Sequence, residues 1–489
     1  WILRVEEAKN MIPKTLLVGL SVIAIAYFYG RLVEDPKSYL DEIEKSIIDA
    51  WSEYITLPKS RFQRVAVGIN CNLDLIVPAL PLFEALHVKP GGKENHPRLD
   101  SLQSLQETFH YFFSKGSAAE RAFTNSSSFK EIVEAAESLQ EKQYYIGGNA
   151  ALMASKIKFL FPDIELQLVG PIGPKLSELF PQSIQIPEES RIEDDEVHLI
   201  MEYRVGEKWG DSTATVATRF ITSFDESNSK MTHLETFFSS QSGFEPDLII
   251  ISGLHLMEGE GKDFYSSRLK VFGAGLNQLN PTTPVHLELA SMANGDLVQE
   301  VFREIIPEIS SLGLNEQELS FSSHVLKGPH SDDFIHQTGQ PEIHKISDMI
   351  LWILKTFGYS KKRPESKLTR VHFHSLTYHI LGTVPDAWSN NEAAVAAGTH
   401  MAGHQACDVK HLTPEHVELR IPATFRLYSG GPEKQLDHNH PVIFWDYEGY
   451  HFVFSPVLVC RDPQKTVGLG DAISATGLMY SQYNRENLR

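Results

Sequence analysis

The sequence predicts an α/β fold: a mostly parallel central sheet covered by helices on both faces, with a smaller β-rich lid. Three observations carry this. Short and almost wholly apolar runs recur along the chain: Val65-Ala66-Val67-Gly68, Leu248-Ile249-Ile250-Ile251, Val285-His286-Leu287-Glu288-Leu289 and Phe452 to Val459. Strands that are apolar on both faces belong in a sheet covered on both sides. Helical stretches such as Met349 to Phe357 lie between them, and alternating strands and helices build parallel sheets. Between about 190 and 225 the character changes. Val197 to Tyr203 and Thr213 to Ser223 read as an antiparallel pair around the turn-rich GEKWGDS, which suits a small lid. A chain of 489 residues is long enough for one large domain and a smaller one.

Taken in order, the first feature is an address. Thr15 to Gly30 carries no charge, follows Lys14 and contains the A-x-A-like Ala24-Ile25-Ala26. Residues 11–30 therefore read as a signal peptide or signal anchor, with Met11 as a natural start. The expected location is the secretory pathway, in the endoplasmic reticulum lumen, anchored to its membrane, or secreted. Asn125-Ser126-Ser127 is a glycosylation sequon that becomes usable there. Residues 31–60 are polar with a helical apolar rhythm (Ile43, Ile47, Ile48, Trp51, Ile55) and read as a helical linker. The main body then runs from 61 to 489. Polar, Gly/Pro-rich stretches at 325–346 and 428–442 read as surface loops.

Acidic residues outnumber basic ones, 63 to 44, for a net charge of −19. Such a chain repels nucleic acid, and it meets a membrane only through the N-terminal segment. It also repels nucleotides, so a phosphate site needs a metal ion, an arginine or a helix N-terminus. The three cysteines, Cys71, Cys407 and Cys460, leave room for one bridge and at least one unpaired thiol. His404-x-x-Cys407-x-x-x-His411 lacks the paired spacing of a structural zinc site.

There is no G-x-x-x-x-G-K-[ST], no H-R-D with D-F-G, and no G-x-G-x-x-G after a strand. Instead TVGLGDAISATGLMY, residues 466–480, follows an apolar strand with a Gly loop and a helix start, a natural anion site. Asp471 at its mouth reads either as an N-cap or as a base toward a hydroxyl held beside the phosphate. His286-x-Glu288 puts two polar side chains on one face of a strand. Asn315-x-x-Glu318 has the spacing of a capping box. Glu288, Glu318 and Asp471 together could offer oxygen ligands to Mg²⁺, directly or through water.

These motifs, with RVAVGIN-x-N-x-D, KGSAAER, YYIGGNAAL, HLIMEY, SGLHLMEG, VHLELASM, HFHSLTYHIL and FSPVLVCRDP, resemble in order the ADP-dependent sugar kinases, a branch of the ribokinase-like superfamily. The resemblance runs from about residue 64 to 480. It implies a ribokinase-like three-layer sandwich, and glucose and ADP as substrates of a monomeric enzyme that releases glucose 6-phosphate and AMP. It also implies roles for matching positions. Asp471 is the general base, and Gly468, Leu469 and Gly470 form the anion hole. Arg219 in the lid reaches phosphate. Glu288, Glu318 and Asp471 organise Mg²⁺, with His286 and Asn315 behind them. Asp74, Glu120, Gly147, Gly148, Asn149 and His198 hold glucose, and His372 and Tyr378 flank the adenine. Glu120 favours a neutral sugar over a sugar phosphate. The competing readings are an ADP-dependent phosphofructokinase and a non-catalytic sugar or nucleotide sensor on the same fold.

Overall fold

The computed structural model describes residues 36–333, 341–464, 468–484 and 486. The signal-like segment 11–30 lies outside them. No helix among the described residues is long and apolar enough to cross a membrane.

A ten-stranded sheet forms the centre. Seven parallel strands run in the spatial order Arg370–His374, Ser311–Leu314, Val285–Glu288, Leu248–Ser252, Arg64–Ile69, Glu165–Val169 and Ile184–Gln185. Three antiparallel additions, Tyr378–Thr383, Tyr450–Pro456 and Ile443–Tyr447, extend one edge. Alternation explains the apolar runs. Ala66, Ile249 and Ile251 face one hydrophobic core, while Val65, Val67, Leu248 and Ile250 face the other. Every residue of Leu248–Ser252 is buried. A sheet sandwiched between two helical layers is the predicted architecture.

The lid is a five-stranded sheet in the order Ala119–Ala122, Thr218–Ser223, Val197–Tyr203, Asn72–Pro78 and Gln143–Gly147. Its expected antiparallel pair is present, Val197–Tyr203 against Thr218–Ser223. The second strand begins at Thr218 rather than Thr213, because residues 208–213 fold into a separate small hairpin with Gly210 at φ +60°. The lid also draws on segments well before residue 190, and the chain crosses between the layers near residues 70–72, 147–149, 186–197 and 224–233.

Two other readings change. Phe452 to Val459 is not one strand. Tyr450–Pro456 belongs to the central sheet, and Leu458–Cys460 pairs with Val417–Leu419, since Pro456 has no N–H to continue the ladder. The 428–442 stretch contains the strand Glu433–Gln435, and the 325–346 stretch overlaps the end of Glu316–Leu326 and the start of Ile343–Phe357. Residues 334–340 lie outside the described residues. Cys407 and Cys460 form a disulfide that joins the end of the helix Asn391–Cys407 to Leu458–Cys460, while Cys71 is a buried free thiol. The bridge removes Cys407 from any metal set with His404 and His411.

The segment 31–60 is more than a linker. Its helix, Pro36–Tyr54, packs on Asn391–Cys407, and Ile47 and Trp51 are fully buried in a third core with Val395, Val453 and Ile473. Trp51 Nε1 donates to Ser455 Oγ at 3.0 Å. Trp51→Ala is therefore expected to destabilise the whole domain by about 3–5 kcal/mol. Urea unfolding checks this, and a free linker would give no change in midpoint.

Candidate active site

Asp471 lies in the first turn of the helix Leu469–Met479, whose N-cap Gly468 is left-handed at φ +66°. Glycine pays no Cβ penalty there. The mouth of this helix, at Gly468, Leu469 and Gly470, carries the backbone N–H groups that are left unpaired at any helix start. Asp471 does not act as the cap. Its carboxyl is almost fully buried and its Oδ1 accepts from Asn149 Nδ2 at 2.9 Å. Burial pushes it up to about 7, against the pull of that hydrogen bond.

Behind it sits Glu288, fully enclosed. His374 Nε2 approaches Oε1 at 2.7 Å, while His286 Nε2 at 3.0 Å and Ser474 Oγ at 2.5 Å share Oε2. Burial alone would raise this carboxyl, yet His374 and His286 hold it down to about 2. His286 Nδ1 lies 2.9 Å from Ser311 Oγ, which also accepts from the buried Arg370. Glu318 completes the capping box of Glu316–Leu326: Oε2 accepts from Asn315 N and Oε1 from Asn315 Nδ2, both at 2.8 Å. Burial pushes Glu318 up to about 7. Glu288, Glu318 and Asp471 do not converge on one point. Among the described residues the one group of three or more such side chains whose ligand atoms all lie within 4.8 Å of one another is Glu94, His96 and Glu107, elsewhere.

Strand register explains the lid face. Asp74 lies opposite His198 on one side and Tyr145 on the other. His198 lies opposite Ser223, and Glu120 opposite Ile221. With a period of two, Asp74, His198, Glu120 and Arg219 therefore share one face, and Gly147, opposite Asn72, joins them. The electrostatics agree: burial raises the Asp74 carboxyl, and His198, Glu120 and Arg219 all act on it. A Cβ on Gly147 would come within 2.1 Å of Asp74 Oδ1, so glycine lets the carboxylate pack against backbone. Gly148 at φ +83° then turns the chain into the helix Asn149–Leu160. This places Asn149 at the junction of the lid face and the Asp471 helix.

Two expected residues lie elsewhere. His372 is fully buried against Gly477, and Tyr378 is buried with its hydroxyl donating to Pro341 O at 2.8 Å. Neither presents a ring face for an adenine to stack on, because alternation points both side chains into the packed layers. Other residues escaped sequence reading. Asp225 Oδ1 and Oδ2 both lie 2.9 Å from His198 Nε2. Asn70 Nδ2 donates to Asn149 Oδ1 at 3.1 Å. His374 and Ser474 both hold Glu288. The signals were present: two asparagines in GINCNLD, His372 and His374 two apart, and Ser474 three residues after Asp471.

Residues 63–480 match the family model described as the ADP-specific Phosphofructokinase/Glucokinase conserved region. The chain is 45% identical to the ADP-dependent glucokinase of Bos taurus over 442 residues, 90% of this chain and 88% of that protein. It is 38% identical over 489 residues to the probable ADP-dependent glucokinase of Caenorhabditis elegans, covering 97% of this chain and 96% of that one. Among solved structures, a hypothetical ADP-dependent phosphofructokinase from Pyrococcus horikoshii OT3 superposes with a TM-score of 0.65 at 20% identity, over 87% of this chain and 98% of that one, a likeness of fold.

The His198–Asp225 pair generates a pH prediction. Burial lowers the His198 imidazole, but Asp225 overrides it and raises the group to about 10. An unfolded histidine titrates near ~6.5. The stabilisation is thus fully present below that value and is lost as pH rises from there through about 10. Denaturant unfolding of wild type and Asp225→Asn should show a stability gap that is constant from pH 5 to 6.5 and shrinks toward pH 10. A gap that instead widens with rising pH means that His198 is neutral in the folded protein.

Proposed function

Because the chain belongs to the ADP-specific phosphofructokinase/glucokinase family, we propose that its lid face holds glucose and that Asp471 is the base of an ADP-dependent phosphoryl transfer. The protein is a sugar kinase that phosphorylates glucose from ADP. The observation that carries the assignment of residues is the Asn149 Nδ2 to Asp471 Oδ1 hydrogen bond. It sets the buried carboxylate at the edge of the polar face bearing Asp74, Glu120, His198 and Gly147. A sugar hydroxyl held there forms its bond to the terminal phosphorus of ADP as the bond to the bridging oxygen breaks. Its proton passes to Asp471, and AMP leaves. A carboxyl raised to about 7 is a better proton acceptor than an ordinary aspartate. Such transfer depends on alignment and on neutralised charge. The mouth of the helix at Gly468–Gly470 and Arg219 from the lid would meet the phosphates. Lid closure would exclude water, which otherwise hydrolyses ADP.

Mg²⁺ suits the donors present. Asp471 and Glu318 are buried carboxyls, both raised to about 7, and neither forms an ion pair with a described residue. Each offers the hard oxygen that Mg²⁺ takes. Glu288 is saturated by His286, His374 and Ser474, and would act through water. Bound there, the ion would neutralise phosphate charge that this acidic chain repels. A monomer is the proposed working unit.

The proposed location is the secretory pathway, addressed by residues 11–30. The Cys407–Cys460 bridge fits an oxidising compartment, and Asn125 of the sequon is exposed at the start of the helix Ser126–Ser138.

Asp471→Asn should lower turnover by roughly two or more orders of magnitude while ADP binding stays nearly intact. A mutant at the wild-type rate removes Asp471 as the base. In coupled assays with Mg²⁺, glucose with ADP should give the strongest response. A stronger response to fructose 6-phosphate would overturn the role given to Glu120. The chain should also be protected from protease in sealed microsomes, and digestion there without detergent contradicts the proposed location.

A further inference from the structure

Asn70 is buried in the first crossing from the central sheet to the lid, between Arg64–Ile69 and Asn72–Pro78. Both ends of the residue are held. Its N–H donates to Ser252 O, and its carbonyl accepts from Ala151 N at 3.3 Å, in the first turn of the helix that starts at Asn149. Gly253 and Gly148 press on it so closely that a Cβ on either would come within 2.8 Å of Asn70 atoms. From this fixed position Nδ2 donates to Asn149 Oδ1 at 3.1 Å, and Asn149 Nδ2 donates to Asp471 Oδ1 at 2.9 Å.

A side-chain amide has a donor end and an acceptor end, and rotation by half a turn exchanges them. Asp471 as a base accepts hydrogen bonds, so it needs the NH₂ end of Asn149. The reversed amide would aim a carbonyl oxygen at a carboxylate. The Asp471 carboxylate, which only accepts, takes the NH₂ end of Asn149, and the Asn70 NH₂ occupies the oxygen end, so the two contacts together hold the Asn149 amide in one sense. The neighbouring residue ties this to the lid. Cys71 N donates to Asn228 Oδ1 at 3.3 Å, and Asn228 Nδ2 donates to Cys71 O and to Glu196 Oε2, each at 2.9 Å. Glu196 also accepts from the backbone of Glu226 and Asn228. All four crossings thus meet at Asn70 and its neighbour Cys71.

We propose that Asn70 is a positioning residue that sets the amide of Asn149, and through it the free oxygen of Asp471, in step with the placement of the lid. The inference rests on Asp471 as the base. Asn70 touches no reacting atom in this scheme. Its loss should fall on turnover and leave glucose capture at the lid face largely intact.

The test is steady-state kinetics of the full chain with glucose, ADP and Mg²⁺. Asn70→Ala is expected to lower kcat about tenfold or more, with the KM for glucose within about threefold, since losing one orienting hydrogen bond acts on the transition state. Asn70→Asp keeps the shape but not the donor, so it should be impaired to a similar degree, and because a buried unpaired carboxyl also costs stability its turnover is read at a temperature where its unfolding curve shows it fully folded. It decides the matter should the alanine variant fold poorly. In the double variant Asn70→Ala, Asn149→Ala, the loss should equal that of Asn149→Ala alone, because the two act in series. Wild-type kcat in Asn70→Asp, or additive losses in the double variant, would overturn the inference. Asp471→Asn separates the two failures. If it is inactive while Asn70→Asp is normal, only the role of Asn70 falls. If it is active, the assignment of the base falls with it.

Discussion

The rest of the site depends on one hydrogen bond between residues 322 positions apart, Asn149 Nδ2 to Asp471 Oδ1. It joins the N-termini of two helices, one entered from the lid and the other following the strand Leu458–Cys460. A buried carboxylate is tolerated only when it is paired or hydrogen-bonded. Asp471 is held by a single amide, and that leaves it close to the edge between charged and neutral. More partners would stabilise the charge and weaken the base; fewer would leave it protonated.

Three buried carboxyls lie around this point, and the protein treats each differently. Glu288 takes two imidazoles and a hydroxyl and is fixed as an anion. Glu318 closes a capping box through both oxygens, so its helix start and its chemistry share the same atoms. Asp471 accepts one hydrogen bond, on Oδ1, and keeps the most capacity in reserve. The difference follows from placement: Glu288 faces the strand Arg370–His374, where alternation supplies His374, while Asp471 meets only Asn149 from the lid side.

Much of this was legible in advance. Runs such as LIIIS announced a sheet covered on both faces, and GLGD announced a helix mouth. The strand pairing over 197–223 was also readable, whereas the three cysteines left open whether and how they pair. What sequence could not supply was contact between distant segments. The Pro36–Tyr54 helix looked like a linker because only the folded chain brings Ser455 to Trp51. His372 and Tyr378 were read toward adenine by resemblance, and strand alternation turned them inward. Asn70 was passed over because an asparagine at the end of a strand is an ordinary turn former until its partner is known.

The order of the central sheet has a consequence for synthesis. Arg64–Ile69 ends up between Glu165–Val169 and Leu248–Ser252. The second of these neighbours leaves the ribosome roughly 180 residues after the first strand, about 10–40 s later at usual translation rates. All five lid strands are made within that interval. For that time a largely apolar strand has an open edge, and the lid has nothing to hinge against. The nascent chain therefore carries an aggregation-prone edge through more than a third of its own synthesis, and a chaperone that shields extended apolar segments would matter more to this fold than to one whose strands pair in the order they are made.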